Sequence, residues 1–351
     1  MNAPNTLPLA LGLLLFSFLI TSILVIPFIN LLYKLKLTRR KEALGPGKAT
    51  LFDQLHDKKA GTPVGGGILL IVLVSSIFLI LFPVFRHMGV YIQSSFEFKT
   101  EVFLIFFTFI SFGLLGLSDD LMKIFGTPQK GKMGFLFGLS RTHKFVFQWV
   151  LALFIGYILY AKLGIHIVHV PLFDQTLDFG LAYVPVSAFI IVSFCNAFNI
   201  TDGLDGLASG LLMICLLAFG FIAAGALDTP LWLFIFVWIG TLMAFLYFNV
   251  WPARIFLGDA GSLSFGATLG LIGLLTGSIV ALVVIGGIFV IELASSAIQI
   301  FGWKVLRRPI FPLAPIHHTF LAIGWEEPKI VTRAWLAGII LAIFGLWLAS
   351  I

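Results

Sequence analysis

Ten apolar stretches, at approximately 7–33, 64–85, 101–118, 143–163, 183–199, 204–225, 230–248, 260–279, 281–302 and 332–351, leave this chain few ways to fold. A helix crossing the hydrocarbon core takes about 17 to 25 residues, which each stretch supplies. The balance agrees, because 60% of residues are hydrophobic and 11% charged, where a soluble domain carries about 25% charged residues. The expectation is therefore all-α: a polytopic integral membrane protein of about ten transmembrane helices. Residues 1–351 form one domain in this reading, with loops near 34–63, 118–143, 199–204, 249–259 and 303–331. The eighth and ninth spans have the weakest boundary between them. The first span has no basic n-region, is too long for an h-region and lacks a small-residue cleavage site before Lys34, so it is expected to stay in the mature chain. Cys195 and Cys215 fall inside spans and act there as small hydrophobes.

Orientation follows from the basic residues. Nineteen of the 22 fall in the connections after spans 1, 3, 7 and 9, and only Arg86, Lys99 and Lys162 fall on the other face. By the positive-inside rule the odd-numbered connections are cytoplasmic and both termini extracytoplasmic. Asp119, Asp120, Asp202, Asp205 and Asp259 then share the cytoplasmic face, while His87, His166 and His169 lie outside. The net charge of +6 reads as topology signal and as attraction to anionic membrane lipids. Nucleic acid is not an expected partner, because no soluble basic domain is present to bind it. No period of 20 to 50 residues suggests a solenoid. Pro309, Pro312, Pro315 and Pro328 make the last long loop irregular.

Carboxylates at a membrane boundary are costly, and three groups of them stand here. Asn196, Asn199, Asp202 and Asp205 recur every third residue, with Gly203 and Gly206 permitting a bend that gathers them. The plain alternative is a capped helix end with interhelical amide bonds. Asp119 and Asp120 are adjacent and diverge by about 100° on a helix, so one faces a site while the other meets water or a lysine. An ordinary polar helix end is the alternative for that pair. In Phe256-Leu257-Gly258-Asp259-Ala260-Gly261-Ser262, glycines flank one acid just before an apolar helix. Free N–H groups at such a start suit a phosphate, and the carboxylate suits a hard cation. With carboxylates rather than histidine and cysteine gathered, Mg²⁺ fits better than zinc. Lys59, Lys123, Lys132 and Arg141 supply charge for phosphate oxygens, or serve only as topology residues. His317-His318 binds phosphate or nucleobase, or is a polar loop.

These blocks resemble the polyprenyl-phosphate N-acetylhexosamine-1-phosphate transferase superfamily, and within it the muramoyl-pentapeptide branch. The resemblance runs through His56-Asp57-Lys58-Lys59-Ala60-Gly61-Thr62-Pro63, Ser118-Asp119-Asp120 with Lys123, Gly138-Leu139-Ser140, and Asn196 to Ala208. It continues with Asn249, Phe256 to Ser262, and Ala314-Pro315-Ile316-His317-His318. It implies transfer of phospho-N-acetylmuramoyl-pentapeptide from UDP-MurNAc-pentapeptide to undecaprenyl phosphate, giving lipid I of peptidoglycan synthesis and UMP. The implied setting is the bacterial cytoplasmic membrane with the site facing the cytoplasm. The implied roles are Asp119, Asp120 and Asp259 as catalytic acids, and Asp259 with Asn199 at Mg²⁺. Lys59, Thr62, Asn196, Asn199, Asp202, Asp205, Asn249, Phe256, Gly258, His317 and His318 are the implied substrate residues. The family's third histidine is here Thr319, its following acid position is Leu321, and the loop at 61–67 reads Gly-Thr-Pro-Val-Gly-Gly-Gly. Transfer of GlcNAc-1-phosphate from UDP-GlcNAc is the enzymatic alternative. A secondary transporter, for which Glu292 deep in a span is the best feature, is the alternative of another class. The oligomeric state stays open, a homodimer included.

Overall fold

The computed structural model describes residues 6–39, 59–87, 93–125, 141–173 and 175–351. His56-Asp57-Lys58, Lys132, Gly138-Leu139-Ser140 and the side chain of Arg141 lie outside the described part. In chain order the elements are α1 (Thr6–Lys34), α2 (Gly66–His87), α3 (Phe98–Phe125), α4 (Arg141–Ala161), β1 (Ile167–Val170), β2 (Gln175–Asp178), α5 (Tyr183–Thr201) and α6 (Leu207–Gly225). Then follow α7 (Thr229–Asn249), α8 (Gly258–Leu275), α9 (Ile279–Ile285), α10 (Gly287–Phe301), which runs on as a wider turn to Leu306, α11 (Ile316–Ala322) and α12 (Glu327–Ser350). Ten of the described helices are long and apolar enough to cross a membrane, the number the apolar stretches predict. The weak boundary between spans eight and nine is the short α9, which turns at Gly286 into α10.

In a bilayer, apolar surface gains little from leaving lipid, so helices associate where small residues let backbones approach. Helix α8 shows this. Its sequence, GDAGSLSFGATLGLIGLL, is the least apolar of the ten spans, yet its whole length after Asp259 is buried at the centre of the bundle. A Cβ on Gly67 of α2 would lie 2.2 Å from Gly261 Cα, and one on Gly266 would lie 2.4 Å from Phe194 O of α5. These contacts allow α2, α3 and α5 to close around α8. Phe109, Trp238, Phe265 and Phe198 fill the middle with edge-on and stacked rings 5.0 to 6.2 Å apart. Leu11, Leu15, Leu19 and Ile23 of α1 and Ile340, Ile343 and Trp347 of α12 are exposed in the isolated chain and form lipid-facing surface.

One element was not expected. Between α4 and α5, β1 and β2 form an antiparallel hairpin with Ile167 opposite Asp178 and Val170 opposite Gln175. Its base is closed by His166 Nδ1 and Asp178 Oδ1 at 2.8 Å, and Asp178 Oδ1 also accepts from Gly180 N at 2.8 Å. The Gly180 amide first, then His166, holds the Asp178 carboxyl below its usual range. The β-branched residues of Ile167, Val168 and Val170 suit a strand. Their run of four is too short to show above the helical pattern around it.

Candidate active site

The three acidic groups meet at one end of the bundle because α3, α4, α5 and α8 all end or begin there. Asp119 sits on α3, one turn before Lys123, and Lys144 is one turn into α4. Both ammonium groups bridge the same two carboxylates. Asp119 Oδ2 lies 3.0 Å from Lys123 Nζ and 2.8 Å from Lys144 Nζ, and Asp259 Oδ2 lies 2.7 and 2.9 Å from them. Asn199 of α5 donates its amide nitrogen to Asp259 Oδ1 at 3.2 Å and to Ser262 Oγ at 2.7 Å, which fixes the acid's orientation from the opposite side. In this arrangement Asn199 turns its amide nitrogen, rather than its carbonyl oxygen, toward Asp259.

Asp120 does something else. It is buried, and its Oδ1 and Oδ2 accept from the backbone N–H groups of Asp259 and Ala260, each at 2.9 Å. These amides open α8, so Asp120 caps that helix from α3 and occupies the donors that the sequence offered to a phosphate. Gly258, at φ +80, makes the turn into α8, and a Cβ there would sit 2.7 Å from Asp120 Oδ2. The side chains of Asp119 and Asp120 diverge as expected, and the lysines meet Asp119. Asp120→Ala is expected to lower stability by about 1 to 2 kcal/mol, as loss of an N-cap does. Unfolding temperature in detergent is the readout, and an unchanged value would contradict the capping role.

Beside this cluster lies a cavity of about 440 Å³. Lys59, Thr62, Gly203 to Asp205, Trp251 to Ala253, Phe256, His318, Leu321 and Trp325 to Pro328 line it. The loop after α5 joins the two parts: Asn199 reaches Asp259, Asp202 follows as the helix C-cap, and Asp205 faces the cavity. Asp205 Oδ1 pairs with Lys59 Nζ at 2.6 Å, and its Oδ2 accepts from Ala253 N at 2.9 Å, so one side chain ties three loops together. The half-buried Asp202 carboxyl is held well above the usual carboxylate range by burial first and by the charge of Asp259 second. Phe256 N donates to Pro63 O at 2.8 Å, and Phe256 O accepts from Gly66 N at 2.9 Å, which seats Phe256 and Thr62 in the same wall.

Three expected site residues are used differently. Asn196, one turn deeper than Asn199, donates to Gln148 Oε1 and Val192 O, both at 2.8 Å, and so links α5 to α4. Asn249 is buried, accepts from Ser209 Oγ at 2.8 Å and donates to Ile255 O at 3.0 Å, bracing the loop that carries Trp251 and Phe256. His317 is buried with Nδ1 2.9 Å from Glu292 Oε2, and a Cβ on Gly203 would meet its Nε2 at 2.6 Å. It therefore packs beneath the Asp202–Asp205 loop, and His318 lines the cavity. Glu292, the acid that best fitted transport, is this histidine's partner. Thr319 donates to Leu313 O, as a residue holding its loop.

Sequence reasoning missed Lys144, Glu327 and the two tryptophans of the cavity. Lys144 had a signal, since it is a cation at the edge of an apolar span. Glu327 had none, because an acid at a helix start is ordinary.

The donor chemistry fits a hard divalent cation. Asp119 and Asp259 each direct one carboxylate oxygen at the same two lysine ammonium groups, so two hard oxygen donors already converge on positive charge. No ready-made group of three acidic, histidine or cysteine ligands exists among the described residues. Mg²⁺ does not require one, since it takes one or two carboxylates with waters and phosphates.

Fold and site together define a polytopic α-helical membrane protein with a carboxylate and lysine cluster beside an aromatic-walled cavity. The sequence profile described as "Glycosyl transferase family 4" matches residues 102–277. The chain belongs to this family. Among its relatives are proteins named phospho-N-acetylmuramoyl-pentapeptide-transferase. That of Bacillus pumilus is 33% identical over 335 residues, covering 95% of this chain and 96% of the relative. That of Geobacillus sp. (strain WCH70) is 33% identical over 336 residues, with the same coverage. That of Bacillus subtilis (strain 168) is 33% identical over 338 residues, again covering 95% and 96%.

Proposed function

We propose that this protein transfers phospho-N-acetylmuramoyl-pentapeptide from UDP-MurNAc-pentapeptide to undecaprenyl phosphate, forming lipid I and releasing UMP in peptidoglycan synthesis. The observation that carries this reading is the pairing of Asp119 and Asp259 through two shared lysines, at the end of the bundle where the loop after α5 leads on to the cavity. Such a site brings two anionic phosphates together, and positive charge held in place offsets their repulsion. The names of the relatives point to the muramoyl substrate rather than to UDP-GlcNAc.

The cavity holds the nucleotide end. Lys59, Asp205 and the backbone of Gly203 to Asp205 supply polar contacts there, and Trp251, Phe256 and Trp325 supply aromatic faces for a base. Mg²⁺ held by Asp259 and Asp119 would neutralise phosphate charge where the β-phosphate is attacked. Lys123 and Lys144, which pair with both carboxylates, would supply further positive charge for the phosphate oxygens. Asp119 is the acid of the α3 pair with no backbone to cap, so proton removal from the lipid phosphate, or direct attack, falls to it. Asn199 keeps Asp259 aimed. The lysine and arginine distribution supports a site facing the cytoplasm with both termini outside, and the bacterial inner membrane is the setting that this activity implies.

The test is UMP release by the purified protein in detergent with UDP-MurNAc-pentapeptide and undecaprenyl phosphate. Release is expected with Mg²⁺ and none after EDTA. Undiminished turnover in EDTA would remove the metal, and turnover with UDP-GlcNAc alone would replace the substrate.

A further inference from the structure

A single carboxylate oxygen marks the next level of this site. Glu327 Oε1 accepts from Lys59 Nζ at 2.5 Å and from the backbone N–H of Asp205 at 2.6 Å. A cation and an amide dipole thus converge on one acceptor in the wall of the cavity. Lys59 does not depend on Glu327, because Asp205 Oδ1 already pairs with it at 2.6 Å. One ammonium therefore faces two carboxylates. Their mutual repulsion is weakly screened, since the side chains of Lys59, Asp205 and Glu327 are 12%, 4% and 10% exposed.

Glu327 also has somewhere else to go. It is the first residue of α12, next to Pro328 and just after the turn at Gly324, which has φ +91. The positive end of its own helix is an alternative seat for its charge. Asp205 has none, because its Oδ2 is fixed by Ala253 N. Of the two acids at Lys59, Glu327 is the one free to leave.

We propose that Glu327 is an internal occupant of this cradle, and that it sets the cavity's specificity by admitting only a ligand oxygen able to accept from both Lys59 and the Asp205 amide. A carbonyl oxygen of the base or a phosphate oxygen of the nucleotide has that chemistry. A neutral carbonyl gains more, because its entry also relieves the repulsion between Asp205 and Glu327. The inference rests on the nucleotide-sugar reading of the cavity. Its consequence is that apparent affinity is lowered by the fraction of molecules in which Glu327 holds the cradle.

The experiment is calorimetric titration of the purified full chain in detergent with UMP, uridine and inorganic phosphate. Wild type is compared with Glu327→Leu and Glu327→Ala, neither of which has an acceptor for the cradle, and melting temperature reports folding. Both variants are expected to bind UMP more tightly, by about fivefold or more. The same gain with uridine assigns the cradle to a base carbonyl, and a gain with UMP and phosphate but not uridine assigns it to a phosphate. Equal or weaker UMP binding by the folded Leu variant overturns the inference and makes Glu327 a strut between α12 and the loop. If neither wild type nor variants bind UMP, the nucleotide reading falls, and this inference with it. Should the Ala variant fail to fold, the Leu variant, of similar size and without an acceptor, decides.

Discussion

Asp259→Asn is expected to lower the rate of UMP release by about two to three orders of magnitude, the scale seen when one charge-stabilising group is removed from an active site. Asp259 is the residue on which the cluster closes: its Oδ2 meets Lys123 and Lys144, and its Oδ1 meets Asn199. An amide in its place carries no charge for Mg²⁺ and leaves two lysines with Asp119 alone. Folding should survive, because the Asp120 cap on α8 uses the backbone of residue 259 and not its side chain. The checks are initial rates across a Mg²⁺ series and the melting temperature of the same sample. A near-wild-type rate at limiting Mg²⁺ would contradict the role of Asp259.

Gly116→Ala is expected to remove activity by a different route. A Cβ at this position of α3 would lie 2.0 Å from Asp259 O, 2.4 Å from Asp259 C and 2.6 Å from Ala260 N. These are backbone atoms and cannot rotate aside, so the two helices must separate. Overpacking of this kind costs about 1 to 3 kcal/mol or more. The separation also pulls Asp120 off the start of α8 and Asp119 away from Asp259. Loss of melting temperature together with loss of turnover is the expected result. Gly12→Ala on α1 is the control, because a Cβ there meets nothing within 4 Å and alanine favours a helix. Wild-type behaviour of the Gly116 variant would show that α3 and α8 do not need this approach.

The limits of the sequence reading are physical. Hydrophobic length is a local property, so ten spans could be read from the stretches alone. Asp119, Asp259, Asn199, Asp202 and Asp205 were legible because charge at the edge of an apolar span needs a reason. Their division of labour was not legible. Asp119 and Asp120 are neighbours with identical side chains, and only the crossing of α3 over the start of α8 sends one to cap a helix and the other to the lysines. Asn196 and Asn249 carry the same amide as Asn199, yet Gln148, Ser209 and the Ile255 carbonyl satisfy them before any ligand does. Glu327 lies 268 positions from Lys59, and nothing local to either predicts that one oxygen of the first would complete the surroundings of the second. The sequence determined the membrane fold and which polar residues stand at its boundary, since residue type and apolar length act locally. Which group faces which was decided by tertiary structure, because hydrogen bonds and ion pairs reach only about 3 Å and depend on how closely glycine-lined helices approach.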